Sequence, residues 1–460
     1  MKIVMKFGGT SMADAATIRK CADQVRACEC DGHTVVTVVS AMSGVTDTLL
    51  ELADAAAAGN RAAKHTLLGN LRARHEEAAR ALEAGDCVHP ILDRMETLVS
   101  GIAAVGELTP RSRDAVAAYG EWLSAPLMAA AIDGRAVSGA EAGITTDERF
   151  GEAEPLMNLS LFQVKGAIGA RLARGERVVV TGFNAATQHG VVTTIGRGGS
   201  DYTATLLGAA LGADEIWIWS DVDGLMTTDP RIVPEARLLE SITFAEALEM
   251  GQFGAKSMHP RALEPAAEHR IPVRMRNTFN PDCAGTRIAD GAFAGGTARA
   301  VLLVRDSALV TVAGAAMIGR PGTAAGVFQA LADESINIRM ISQSVSEAGI
   351  SFAIAGSQLD RARAALDRRL LRTGLARHVN IEEDTAVVAI VGSGMRGTPG
   401  VAARVFGAVS AGGINVVAIA QGSSELSVCF VVRGDAGADA VRALHEEFRL
   451  SDPAQTHSDA

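Results

Sequence analysis

The chain has 460 residues, 48% hydrophobic and 21% charged, which places it among globular proteins and makes two or three domains the expectation. Its formal net charge is -10 without a basic cluster, and aromatic residues make up only 4%, so neither a nucleic-acid surface nor a base-stacking platform is expected. No apolar run approaches the roughly 20 residues of a membrane span. No secretory pattern opens the chain, and Cys21, Cys28, Cys30, Cys87, Cys283 and Cys429 show no metal-ligand spacing, so a cytoplasmic protein with reduced thiols and no metal-binding cluster is expected.

In chain order, "KIVMKF" reads as a strand, "ADAATIRKCADQVRAC" has helical spacing, and "HTVVTVVSA" is an apolar strand suited to burial on both faces. An Ala-, Glu- and Arg-rich stretch from about 46 to 135 reads as several helices. "RVVVTGF", "EIWIWS" and "IPVRMRN" are further strands with helical segments between them. This alternation predicts a three-layer α/β/α, mostly parallel sheet, with the site where strand ends meet helix starts.

A Gly- and Ala-rich stretch at 284–300 marks a boundary, and beyond it the chain repeats itself. Residues 317–347 align without a gap to 395–425: Gly322 with Gly400, Asn337 with Asn415 and Gln343 with Gln421 all share an offset of 78. Each copy reads as a strand, a Pro-Gly turn, a helix and two strands, followed by a helix. The division expected is 1–297, 298–382 and 383–450, with 451–460 a disordered tail. The strand "AVLLV" (300–304) is available to complete the second copy, which would interleave the two.

Three glycine-bearing turns fall at strand ends. Behind the first strand, Lys6 precedes Gly8, Gly9, Thr10 and Ser11, the reverse of a Walker loop, yet such glycines let a backbone approach a phosphate. In "TTIGRGGSDYTA", Gly196, Gly198 and Gly199 surround Arg197, and Ser200 and Asp201 stand where a helix should begin and anions are favoured. The third, "SDVDGLMTTDPRIV", holds carboxylates, hydroxyls and Arg231. Any one alone reads as an ordinary turn and cap; three at successive strand ends do not.

"KFGGTS", "SAMSGVTD", "YGEWLS", "TTIGRGGSDYTA", "SDVDGLMTTDPR" and "FGAKSMHP", in this order, resemble the signature blocks of aspartate kinase in the amino acid kinase family, and the repeat resembles its paired ferredoxin-like ACT modules. The resemblance implies transfer of the ATP γ-phosphoryl group, with Mg2+, to the side-chain carboxylate of L-aspartate. That is the first step towards lysine, threonine, methionine and isoleucine. It assigns catalysis to Lys6, Arg197 and Asp201, and aspartate binding to Ser40, Thr46, Glu121, Phe183, Arg197, Ser200 and Asp201, with Glu121 on the ammonium group. It assigns nucleotide to Lys6, Gly8, Gly9, Thr10, Ser11, Ser220, Asp221, Met226, Arg231 and Lys256, and names no protein ligand for the metal. Lysine or threonine is the implied feedback effector, at Met317, Gly322, Asn337, Gln343, Asn415 and Gln421, and a homo-oligomer, dimer or tetramer, is implied. Asn184-Ala185, Met226 and Trp122 depart from the family pattern without removing a charged group.

Two other readings stand beside this one: the same fold with another acceptor (glutamate, N-acetylglutamate or a nucleotide), and an amino-acid-binding regulator with an inactive kinase half. The duplicated modules with "TTIGRGGSD" argue against the first, and intact Lys6, Arg197 and Asp201 against the second. No fused homoserine dehydrogenase is expected, since the chain ends just after the second copy.

Overall fold

The structure, a computed structural model of the chain, describes residues 1–254, 258–291, 296–314, 322–343 and 349–452. By its contacts the chain forms two compact units: Met1–Gly224 with Glu240–Phe244 and Met258–Gly291, and a second made, in its described part, of 225–239, 245–254 and 296–452. The cut expected at 297 is therefore corrected, because the segments 225–239 and 245–254 pack with the second unit.

The first unit begins β1 (Lys2–Phe7), α1 (Ala15–Cys30) and β2 (Thr34–Val39). Five helices follow: α2 (Val45–Ala57), α3 (Arg61–Ala81), α4 (His89–Val105), α5 (Pro110–Ala117) and α6 (Tyr119–Ala131). Then come β3 (Arg135–Val137), β4 (Thr145–Thr146), α7 (Met157–Ala173), β5 (Val178–Thr181), β6 (Asn184–Thr187), β7 (Val192–Thr194), α8 (Gly199–Leu211) and β8 (Glu215–Ser220). After β9 (Ser241–Thr243) and α9 (Phe244–Gln252), the latter mostly in the second unit, α10 (Pro260–Glu268), β10 (Val273–Asn277) and β11 (Thr286–Ala289) complete it.

Five of the six residues of β1 and of β2 are buried, as valine- and isoleucine-rich strands covered on both faces require. The main sheet runs β3-β5-β2-β1-β8-β10-β11-β9, parallel from β3 to β10, with β11 antiparallel to β10. A smaller sheet runs β4-β6-β7. In the main sheet Phe7 lies opposite Val39 and Trp219, Val39 opposite Thr181, and Asn277 opposite Ser220. The loops after β1, β2, β5, β8 and β10 therefore emerge side by side. Behind them Ile3, Met5 and Phe7 pack with Leu49, Leu52, Met95, Leu123 and Leu127 of the helical layer, and Phe7 stacks on Trp219 at 6.0 Å.

The second unit contains β12 (Ala300–Ala313), α11 (Thr323–Ala332), β13 (Met340–Gln343), β14 (Gly349–Ala355), α12 (Leu359–Leu366), β15 (His378–Val391), α13 (Val401–Ala411), β16 (Ala418–Gln421), β17 (Ser427–Arg433) and α14 (Gly437–Glu447). Its antiparallel sheet runs β13-β14-β12-β15-β17-β16. The two 14-residue strands serve both modules. Each contains an aspartate with left-handed backbone, Asp306 (φ 50) and Asp384 (φ 52), again 78 apart. On either side of this bend the strand feeds a different core. Ala308, Val310 and Val312 pack with Phe352 in the first module, whereas Val301 packs with Val388 and Phe430 in the second. Ala300–Val304 thus serves the second copy, the use the sequence left open for it, and the two modules interleave across a border drawn at 382/383. Beyond Asp452 the expected tail lies outside the described residues. No helix among the described residues is long and apolar enough to cross a membrane.

Candidate active site

A cleft of about 520 Å³ opens at the strand ends of the first unit. Lys6, Gly8, Gly9, Thr10, Ser40, Thr46, Glu121, Phe183, Arg197, Ser200, Asp201 and Ser220 all line it, joined by 41–44, Asp47 and the remaining glycines of 196–199. Lys6 is the penultimate residue of β1, 8% exposed, and its Nζ lies 2.5 Å from Asp201 Oδ1, an ion contact whose angle is not that of a hydrogen bond. The Gly8 amide donates to Trp219 O (3.0 Å), so the turn after β1 is tied to β8. A side chain on Gly8 would stand 3.6 Å from Lys6 Nζ, between that ammonium and the β8 backbone.

Glu121 reaches the cleft from α6 because Gly120 lets the helix approach the loop after β2: a Cβ there would lie 2.7 Å from the Ala41 Cβ. One carboxylate oxygen, Oε1, accepts the Ala41 N–H at 3.0 Å, while Oε2 is buried with no hydrogen-bond partner among the described residues. Burial pushes this carboxyl up to about 8, against the pull of the Ala41 amide and of Lys6. Ser124, one turn on, donates to Ser40 O at 2.7 Å and fixes the same loop. A buried carboxylate oxygen without a donor is costly, and a bound cation would relieve that cost.

Opposite stands the N-terminus of α8, with Gly198 (φ 76) at its cap and Asp201 in its first turn. A Cβ on Gly198 would lie 2.5 Å from that of His259, so only glycine fits. Burial, together with the cations Arg197 and Arg261, holds the His259 imidazole below its ordinary value. Arg197 itself is exposed and has no hydrogen bond or ion pair to the described residues, leaving its planar fork available. Phe183 takes φ 64, bracketed by an Asn184 N–H bond to Gly182 O at 2.6 Å. Such a conformation is strained for a bulky residue, and it occurs in the cleft wall. The arrangement gathers an ammonium, a guanidinium and free helix-terminal amides around one space, with one buried carboxylate facing them. It suits a ligand carrying both charges beside a polyanion.

Other assigned residues lie elsewhere. The Ser11 hydroxyl is 2.7 Å from Thr278 Oγ1 and fully buried, so it joins β1 to the β10 end rather than facing the cleft. Asp221 is exposed and is not among the lining residues. Met226, bridged to Leu238, and Arg231 belong to the second unit, and the Arg231 guanidinium is paired with Asp229 at 2.6–3.1 Å. Lys256 and Met317 lie outside the described residues. In the modules Gly322 (φ 89) and Gly400 (φ 86) cap α11 and α13, Asn337 and Asn415 are exposed ahead of β13 and β16, and Gln343 and Gln421 end those strands.

Sequence reading missed several supports. Arg74 on α3 donates to Ser43 O (2.7 Å) and Ala13 O (2.9 Å), clamping two cleft loops. Asn277 and Asn280 donate to Asp223 Oδ1 (2.7 and 3.1 Å), fixing the turn after β8. Nothing in the local sequence marks these, since each partner is remote in the chain.

The model of the amino acid kinase family matches residues 1–277, and that of the ACT domain matches 310–370 and 388–448. Lysine-sensitive aspartokinase 3 of Escherichia coli is 32% identical over 456 residues, which cover 96% of this chain and 98% of that protein. The chloroplastic bifunctional aspartokinase/homoserine dehydrogenase 1 of Arabidopsis thaliana is 33% identical over 97% of this chain, which spans about half (51%) of that protein, as it does of other bifunctional relatives it matches. Among solved structures, E. coli aspartokinase III in complex with aspartate and ADP (R-state) superposes with TM-score 0.81 at 30% identity, over 98% of this chain and all of that one. The same protein with lysine and aspartate (T-state) gives 0.80 at 31%, over 97% of this chain and 99% of that one. With its parallel kinase sheet and paired ACT modules, the chain belongs to the amino acid kinase family, among the aspartokinases.

Proposed function

We propose that the chain is an aspartate kinase, transferring the ATP γ-phosphoryl group to the side-chain carboxylate of L-aspartate to give 4-phospho-L-aspartate. The observation that carries this is that one cleft holds Lys6, Glu121, Arg197 and Asp201, with Glu121 Oε2 buried and unpartnered among the described residues. The aspartate and ADP bound to E. coli aspartokinase III support it.

The nucleophile is a carboxylate, ionised at neutral pH with a pKa of about 4, so no general base is needed. The difficulty is to bring two anions together. Arg197 takes the α-carboxylate through its fork, Glu121 takes the ammonium, and Ser40, Thr46, Phe183 and Ser200 close around the substrate. Lys6 and the amides at Gly8, Gly9 and the α8 terminus stabilise charge on the transferring oxygens, and Asp201 holds Lys6 until nucleotide arrives. Thr10, Ser220, Asp221, Met226, Arg231 and Lys256 are assigned to nucleotide. Magnesium would arrive with the nucleotide and add charge neutralisation at its phosphates, with no protein ligand assigned to it.

The paired modules serve as sensors for lysine or threonine through Asn337, Gln343, Asn415 and Gln421, with Met317 and Gly322 beside them; a lysine complex of the E. coli protein supports the first effector. Ile341 and Ile419, exposed on the edge strands β13 and β16, favour pairing into a homo-oligomer. The test is purified protein with Mg-ATP, hydroxylamine and, in turn, aspartate, glutamate and N-acetylglutamate. Hydroxamate is expected with aspartate; product with another acceptor only would reject the assignment.

A further inference from the structure

We propose that Asp114 is the positioning residue that holds the Arg197 loop in register with Glu121, fixing the spacing between the carboxylate fork and the ammonium acceptor. The inference rests on the assignment of those two residues to the amino-acid substrate.

Asp114 is 2% exposed, and its carboxylate gathers three donors from two separate loops. Oδ2 accepts the Gly151 N–H at 3.0 Å and the Thr194 N–H at 2.8 Å, and Oδ1 accepts the Thr194 hydroxyl at 2.9 Å. Thr194 ends β7, three residues before Arg197. The Gly151 loop supports the same stretch directly: the Ala153 N–H donates to Thr194 O at 2.9 Å. A Cβ on Gly196 would stand 3.1 Å from Gly151 O and 3.3 Å from Glu152 Cγ. The chain entering the Arg197 turn is thus fixed on both sides, and Asp114 is the group that both sides share.

The other end of the device is helical. Asp114 sits on α5, which passes through Ala118 into α6, where Glu121 lies seven residues on. The Ala118 amide bonds back to Asp114 O at 3.0 Å, so little freedom separates the two carboxylates. One short helical stretch therefore presents the ammonium acceptor to the cleft and anchors the loop that presents the guanidinium. Burying a carboxylate where a leucine would pack is unfavourable unless its lone pairs are taken up, and here backbone donors of the Arg197 approach take them up.

The Asp114→Asn substitution sets an NH2 against one of these N–H or O–H donors while keeping the size of the side chain. Steady-state kinetics are expected to show KM for aspartate raised roughly tenfold, with KM for MgATP within about twofold of wild type. In an Arg197→Ala background the same substitution should add nothing further to KM for aspartate, because the group it positions is gone. Equal increases in both KM values, or an additive effect in that background, would overturn the proposal. Should Asp114→Asn fail to fold, Thr194→Val removes only the hydroxyl donor and should raise KM for aspartate about twofold to threefold; an unchanged value contradicts the proposal. Amide hydrogen exchange across 192–199, faster in Asp114→Asn while β1 and β2 stay protected, reads the bracing without substrate. If wild type has no activity with aspartate, the functional assignment fails while exchange still decides whether Asp114 holds this loop; unchanged exchange there overturns the bracing.

Discussion

The kinase cleft and the ACT sheet use their residues in opposite ways. In the cleft no residue has a repeated counterpart, and among the described residues Glu121 Oε2 has no donor and Arg197 no acceptor, while Phe183 holds a strained backbone. In the ACT sheet nearly everything occurs twice, 78 residues apart: Gly322 and Gly400 at helix caps, Asp306 and Asp384 at strand bends, Phe352 and Phe430 fully buried in the two cores. The copies differ in what they cover. The first core closes on its own residues, whereas the second also takes in Val233, with Ile232 packed against it. His445 of α14 lies 3.0 Å from Thr227 Oγ1, and Val301 donates to Thr227 O at 2.8 Å. The second module thus holds the segment that carries Met226 and Arg231.

This contrast implies that cleft substitutions change rates with little loss of stability, and sheet substitutions the reverse. The largest effect is expected for Lys6→Ala: turnover falling about a thousandfold or more while the melting temperature moves by a few degrees. Near-normal turnover would remove Lys6 from the transfer step.

Next, Phe352→Ala and Phe430→Ala should each destabilise by about 3–5 kcal/mol in denaturant titrations. They separate the two copies: only Phe430→Ala should also loosen the segment 225–239, read as faster amide exchange at Thr227 and Val233, because Phe430 shares its core with Val233. Equal exchange in the two variants would erase the distinction drawn between the modules.

Glu121 gives a pH-dependent effect. Its carboxyl holds a proton up to about 8 in the folded protein, whereas an ordinary glutamic acid loses it near 4.5. Between those values the unfolded chain binds fewer protons, so stability contributed by the group falls as pH rises. Glu121→Gln should therefore be more stable than wild type at pH 8–9 without substrate, by on the order of 1–3 kcal/mol, and the advantage should vanish below pH 4.5. In wild type the ionised form must meet the substrate ammonium, so KM for aspartate should fall by up to about tenfold per unit as pH rises towards 8. A flat profile would show that Glu121 is not the acceptor.

The smallest effects belong to Asn337→Ala and Asn415→Ala. Each is expected to raise the half-inhibitory lysine or threonine concentration by roughly threefold to tenfold. If both leave inhibition untouched, the effector groups lie elsewhere in the sheet.

Lys6, the paired glycines and "GRGGSD" were legible because a strand, a turn and a helix start are local events, and the pattern of residue types already limits what the loop can do. Repetition made the ACT modules equally plain. What sequence could not give was remote pairing. "AVLLV" could be offered to the second copy from sequence, but that it runs on into "SALVTVA" as one 14-residue strand, divided between two cores by the bend at Asp306, could not. Met226 and Arg231 follow β8 directly in sequence, yet packing places them with the second unit. No local pattern marks Asp114, since its three donors come from residues 37 and 80 positions away. Ser11, in a motif read as facing phosphate, is turned to Thr278 by a hydroxyl contact that no local pattern announces.

In the proposed reaction the side-chain carboxylate of aspartate attacks the γ-phosphorus in the Lys6–Arg197 cleft. Aspartate labelled with 18O in that carboxylate, turned over with Mg-ATP and hydroxylamine, tests it directly. One labelled oxygen should appear in each phosphate released, read by the isotope shift in 31P NMR. Phosphate without label would mean that water or the α-carboxylate, not the side-chain carboxylate, is the acceptor.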